Sequence, residues 1–387
     1  MKFLKISLVI VLCLVAVLAV AITATVGWRP FIGPRMRPLT NRVFERTPER
    51  WARGKYLAEN VSLCTDCHSP HDWTKHDAPI PPGMEGAGED MSILKGLPGQ
   101  MVAPNLTPDP ETGTGTWSDD ALARAIREGI GHDGRTLFPM MPYQGFRHMP
   151  DEDLASVIVF LRSLPPVRNP LPKTQIIFPV KYLIRSAPEP VTDPVQTPDI
   201  SDPVKRGKFL VTLARCEDCH TPANRGELIP GLDFAGGEVF EGPWGRVASA
   251  NLTPDPSGIP YYDEVLFLQA IRTGYVKARP LNQIMPWPHY GGMTEEDLKA
   301  IFAYLKTIKP STTSWITPSR RRCASFAMKC TAAAIRITRI SNSSGNANLP
   351  MGGLQDANRE IGVPGLEPHL SGLSSRTLKI IMRATAF

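Results

Sequence analysis

The pattern of apolar and polar positions divides the chain into a few recognisable stretches. Ile6 to Val26 is an almost unbroken apolar run of 21 residues behind Lys2 and Lys5. Such a run is long enough to cross the hydrocarbon core of a bilayer as a helix. It predicts a membrane anchor over residues 1–28, with a signal segment ending near Ala19-Val20-Ala21 as the alternative. Further on, Leu154, Val157, Ile158, Leu161 and Leu164 recur at helical spacing, and Pro165-Pro166 stops that helix. The same stripe returns at Leu298, Ile301, Phe302, Leu305 and Ile308 before Pro310. Acidic residues open both stripes, as the positive end of a helix dipole favours. Shorter helices are predicted from Gly54 and Gly207, and over 119–129 and 262–274. No alternation of strand type stands out, so the expected class is all-α.

Self-comparison shows that the pattern occurs twice. Arg53-Gly-Lys-Tyr-Leu57 matches Arg206-Gly-Lys-Phe-Leu210, and Asn105-Leu-Thr-Pro-Asp-Pro110 matches Asn251-Leu-Thr-Pro-Asp-Pro256. Ala125-Ile-Arg-Glu-Gly129 matches Ala270-Ile-Arg-Thr-Gly274, and Met141-Pro142 matches Met285-Pro286. Asp151-Glu-Asp-Leu154 and Glu295-Glu-Asp-Leu298 close the series. One domain, duplicated, is therefore expected over 50–165 and 203–310. A juxtamembrane linker spans 29–49, and a proline-rich connector spans 166–202, with Ile176–Ile184 lying against a domain surface. The tail, 311–387, has no counterpart in the repeats; it reads as basic and disordered, or as a shifted reading frame.

The formal charge of +6 over 387 residues invites a polyanion as partner. Its location removes that reading. Residues 311–387 carry a net +7 and residues 1–50 a net +6, which leaves the body near −7. Basic ends around an acidic body are no footprint for nucleic acid. Arg29, Arg35, Arg37 and Arg42 follow the apolar run, so flanking charge does not settle its orientation.

Four of the seven cysteines fall in two Cys-x-x-Cys-His units, Cys64-Thr-Asp-Cys67-His68 and Cys216-Glu-Asp-Cys219-His220. Two thiols three positions apart can add to the two vinyl groups of one haem edge. The adjacent imidazole then reaches the iron from the same turn of chain. A zinc site would have to join the two cysteine pairs across the repeat, with neither histidine required. A dithiol oxidoreductase would need a βαβ context, which is absent. The expected cofactors are two covalently bound haem c groups, on Cys64 and Cys67 and on Cys216 and Cys219, with His68 and His220 as iron ligands. Met141 and Met285, matched in the repeat, are the expected sixth ligands; Met140 and His289 are the rivals. Arg127 and Arg272 could reach haem propionates or lie on a solvated helix face. His71, His76, His132 and His148 are expected at the surface. No role falls to Cys13, Cys323 or Cys330.

These motifs together resemble those of the cytochrome c subunits of bacterial membrane-bound alcohol, aldehyde and gluconate dehydrogenases. The resemblance rests on Ala103 to Asp120, on Pro139-Met-Met-Pro-Tyr143 and on the segment ending at Leu154. It implies two tandem class I cytochrome c domains, whose first and last helices cross at Gly54, Tyr56 and Phe160 and at Gly207, Phe209 and Tyr304. It also implies a non-enzymatic electron carrier, with a dehydrogenase as donor and a quinone, an oxidase or another cytochrome as acceptor. The haem domains would stand on the periplasmic side of a bacterial inner membrane. This chain has two haem motifs, whereas those subunits commonly have three. The rival readings are a dihaem enzyme of peroxidase or thiosulfate-oxidising type, and a subunit of a terminal oxidase complex.

Overall fold

The computed structural model describes residues 2–224 and 226–313. The tail from 314 onward, with Cys323 and Cys330, lies outside the described residues. Helix α1, Lys2–Thr25, is the apolar run; its segment Phe3–Thr25 has the length and composition of a membrane span, and its side chains are exposed. A first set of helices follows: α2 (Pro48–Tyr56), α3 (Asp119–Glu128) and α4 (Asp151–Ser163). The second set is α5 (Pro203–Ala214), α6 (Glu264–Thr273) and α7 (Glu295–Thr307).

Local chemistry sets the ends of these helices. Thr47, Ser118, Asp202, Asp263 and Thr294 each accept a backbone N–H with their side chain, replacing a bond that the first turn lacks. Pro48 and Pro203 stand at the first helical position, where no N–H is needed. Gly129 and Gly274 close α3 and α6 in the left-handed region, at φ 69° and 71°.

Helix α2 packs on α4 and α5 on α7, and both contacts depend on a glycine. A β-carbon on Gly54 would fall 1.9 Å from the carbonyl oxygen of Ser156, and one on Gly207 would fall 1.9 Å from that of Ala300. Phe160 and Tyr304 flank these crossings. The hydroxyl of Tyr56 also donates to Asp297 of the second half. The predicted stripes are the buried ones. Leu154, Val157, Ile158 and Leu161, and Leu298, Ile301, Phe302 and Leu305, belong to one apolar cluster that runs through both halves.

The all-α expectation needs correction. Among the described residues there are five two-stranded antiparallel sheets, built from strands of two to four residues. The longest pairs Val239–Gly242 with Gly245–Ala248. Strands this short cannot display a period of two, so the sequence pattern is silent on them. One of these sheets pairs Gly99–Gln100 with Gln175–Ile176, which ties the proline-rich connector to the first half.

Candidate functional site

Each Cys-x-x-Cys-His unit begins after a residue in the left-handed region. Leu63 has φ 53° and ψ 34°, and Arg215 has φ 54° and ψ 34°. Neither is glycine, and that conformation costs a non-glycine residue about 1 kcal/mol or more. The helical segments Cys64–Cys67 and Cys216–His220 start from this turn.

The histidines that follow are held alike. His68 Nδ1 donates to the carbonyl of Pro104 at 2.7 Å, and His220 Nδ1 donates to that of Ala250 at 2.7 Å. A carbonyl can only accept, so each proton is fixed on Nδ1. Burial lowers both pKa values and keeps the rings neutral, although these carbonyl bonds oppose the shift. Nε2 is left as a free lone pair, the form in which an imidazole binds a metal. Backbone bonds repeat the pattern: Gly88 N donates to His68 O at 2.7 Å and Gly236 N to His220 O at 2.7 Å.

The thiols are not poised for dithiol chemistry. Burial pushes Cys64, Cys216 and Cys219 up to about 12, and Cys67 well above its ordinary value. A redox-active pair needs a thiol with lowered pKa.

In the first half a cavity of about 930 Å³ opens beside Cys64, Cys67 and His68. That is the size of a site for a large organic cofactor. Its walls are apolar, with Trp117, Leu122, Ile126, Phe146 and Leu161, and Met141 belongs to its lining. Met140 lines it too, but 38 % of Met140 is exposed, whereas Met141 is packed against the core. Met285 is packed against the core in the same way. The step after each methionine is also shared: Pro142 has φ −83° and ψ 47°, and Pro286 has φ −77° and ψ 51°. A pair of thiols, a neutral imidazole with a free Nε2, a thioether and an apolar crevice form a donor set that fits haem c.

Asn105 and Asn251 organise the loop that presents the histidine's partner carbonyl. Asn105 Oδ1 accepts from Thr107 N and Oγ1 at 2.9 and 2.7 Å, and its Nδ2 donates to Val167 O at 2.7 Å. Asn251 Oδ1 accepts from Thr253 N and Oγ1 at 2.8 Å each, and its Nδ2 donates to Ser311 O at 2.7 Å.

Arg127 and Arg272 both have their guanidinium groups bonded to acceptors within the protein. Arg127 is buried outside the cavity, with Nη1 2.5 Å from Asp151 Oδ1 and Nη2 donating to the Met149 carbonyl. Arg272 donates to the carbonyl of Gly291. Their shared role is to hold the chain just after the methionine loop. The cations that do line the cavity are Arg135, Lys181 and Arg185. The last two come from the connector, which together with Phe31–Pro34 closes one side of the cavity. Sequence reasoning places Ile176–Ile184 against a surface but not at the crevice; the alternation of Tyr182 and Ile184 with cations was the available signal.

Two of the four histidines expected at the surface are enclosed. His71 sits between Asp66 and Glu89 with 6 % of its side chain exposed, and His76 lies against Tyr275 and Trp287. His132 and His148 are exposed.

Residues 51–165 match the cytochrome c family, so the first half carries a cytochrome c domain. The chain is 33 % identical over 229 residues to a nicotinate dehydrogenase component of Pseudomonas putida, covering 54 % of this chain and 18 % of that protein. It is 32 % identical to the cytochrome c subunit of the quinone alcohol dehydrogenase of Gluconobacter oxydans, over 49 % of this chain and 38 % of the relative. A dihaem c-type cytochrome of Cereibacter sphaeroides is 27 % identical, over 63 % of this chain and 81 % of its own length. The chain thus spans less than two thirds of the length of the two dehydrogenase relatives. With a cytochrome c domain in its first half, the chain is similar to the cytochrome c subunits of alcohol, fructose and gluconate dehydrogenases.

Proposed function

We propose that the chain is a dihaem electron carrier, anchored by α1, that takes electrons from a dehydrogenase and passes them to the respiratory chain. The observation that carries this reading is the repeated donor set: two thiols, a neutral imidazole and a core-packed methionine in each half. Haem c would be attached at Cys64 and Cys67 and at Cys216 and Cys219. His68 with Met141, and His220 with Met285, would be the axial ligands in two tandem class I domains. A thioether opposite an imidazole stabilises Fe(II) and raises the potential. With both axial positions filled by the protein, neither iron offers a place for substrate, which favours relay over catalysis.

The two motifs also lie near one another, as a relay needs. Cys67 is within the electrostatic reach of Cys219. Tyr290, half-buried near both motifs, donates to Ala214 O at 2.7 Å. Attachment of haem c on the periplasmic face would place α1 with its N-terminus inside the cell. The donor would be a dehydrogenase and the acceptor a quinone, an oxidase or another cytochrome.

The test combines haem stoichiometry with low-temperature EPR, with and without peroxide. Two haems per chain, both low-spin and inert to peroxide, are expected. A high-spin haem that turns over peroxide would make the chain an enzyme instead.

A further inference from the structure

Three metal-capable side chains from both halves converge on one point, and none of them lines the cavity of the first half. Asp66 lies in the turn of the first motif, His71 follows it, and His289 comes from the helical turn Trp287–Tyr290 of the second half. One donor atom from each lies within 4.8 Å of the others. His71 Nε2 and His289 Nε2 are both 3.0 Å from the same atom, Asp66 Oδ1.

The opposite edges of the two rings decide what this point requires. His289 Nδ1 is 3.1 Å from the carbonyl of Glu59, and His71 Nδ1 is 3.1 Å from Glu89 Oε2. Both partners are acceptors, so both Nδ1 atoms carry protons. A neutral ring so fixed presents a bare lone pair at Nε2. Two bare lone pairs against an anionic oxygen repel. The geometry closes in one of two ways: each ring takes a second proton, or one divalent cation sits among the three donors. Both supply two positive charges to the same place.

We propose that Asp66, His71 and His289 bind one first-row divalent metal ion, of the Zn²⁺ class, which clasps the two halves together. Each imidazole has its outer N–H on a carboxylate or a carbonyl, the arrangement that orients metal-ligating histidines and fixes their tautomer. Bond lengths of about 2.0–2.2 Å place neighbouring donors roughly 3.0–3.5 Å apart, and the two Asp–His separations already fall there. Two imidazoles with one carboxylate suit Zn²⁺, Cu²⁺ or Ni²⁺ better than Ca²⁺ or Mg²⁺, which prefer all-oxygen shells. The side chains of His289 and Asp66 are 23 % and 16 % exposed, so an ion has a way in and water can complete its shell. This site does not depend on the haem assignment; only Asp66 is shared with a haem motif.

The experiment uses the full-length, detergent-solubilised protein after chelator treatment, titrated calorimetrically with ZnCl₂ at neutral pH. One Zn²⁺ per chain is expected, with a rise in melting temperature. His71→Gln and His289→Gln should each weaken binding about 100-fold or more and abolish the rise. Glu89→Gln, which alters only a positioning residue, should weaken it about 10- to 100-fold. His132→Gln and His148→Gln should change nothing. With Cu²⁺ as the probe, pulsed EPR should detect two imidazole nitrogens, a signature that holds even where a variant folds poorly. Failure of the wild-type protein to bind either ion would overturn the proposal in favour of two imidazolium rings. Binding that survives both His71→Gln and His289→Gln would overturn it as well.

Discussion

Gly54 lies so close to Ser156 that a β-carbon would come within 1.9 Å of the Ser156 carbonyl oxygen. The obstacle is backbone, not the end of a flexible side chain, so α2 and α4 would have to separate. The same relation holds between Gly207 and Ala300. Overpacking a crossing of this kind costs about 3 kcal/mol. Gly54→Ala and Gly207→Ala should each lower the melting temperature markedly. Each should also reduce haem incorporation in its own half more than in the other, as read from haem absorbance per chain.

Met141 and Met285 are the proposed sulfur ligands. Replacing either with Ala should remove the thioether-to-iron charge-transfer band of one haem and lower that haem's potential, leaving the other unchanged. Met140→Ala should leave both spectra intact. Loss of the band in Met140→Ala but not in Met141→Ala would reverse the assignment of the first half.

Asn251 ties the loop before Pro254 to Ser311, just after α7, through bonds to Thr253, Ser257 and Ser311. Asn251→Ala strands a buried N–H and a carbonyl, a loss of about 2–3 kcal/mol. Urea unfolding should show a lower midpoint, with a comparable effect for Asn105→Ala in the first half.

Tyr56 links the halves through Asp297 and has a raised pKa. Burial first, and then the hydrogen bond to Asp297, move it from 10.0 to about 12. The folded value lies above the unfolded one, so the stabilisation is complete below pH 10 and disappears as pH rises through 12. The wild-type protein should lose stability across that alkaline window, and Tyr56→Phe should lose less, because Tyr262, also raised to about 12, still titrates there. At neutral pH Tyr56→Phe should be about 1–2 kcal/mol less stable, since Asp297 keeps Arg206 at 2.6 Å. Melting followed by circular dichroism against pH measures both effects.

Arg127 is held by Asp151 and the Met149 carbonyl, not by the cavity. Arg127→Met should therefore destabilise the fold, because it leaves a buried carbonyl without its donor, while the potential of the first haem stays nearly constant. A large shift in potential with unchanged stability would restore the propionate reading.

By itself the sequence determined the chemistry and the elements that carry it. Haem attachment needs adjacent residues in one turn of chain, so Cys64, Cys67 and His68 are readable as a string, and the repeat makes Met141 and Met285 stand out as a pair. The long amphipathic helices are legible for the same reason: their period is local. What lies across a loop or between the halves is not local. The two-residue strands carry no period, the connector's approach to the first crevice depends on the pairing of Gln175 with Gln100, and Arg127 finds Asp151 only once α3 and α4 have met. The clasp of Asp66, His71 and His289 is the clearest case. Its members come from two copies of one repeat, at positions that do not correspond, and only folding one half against the other brings them to the same oxygen.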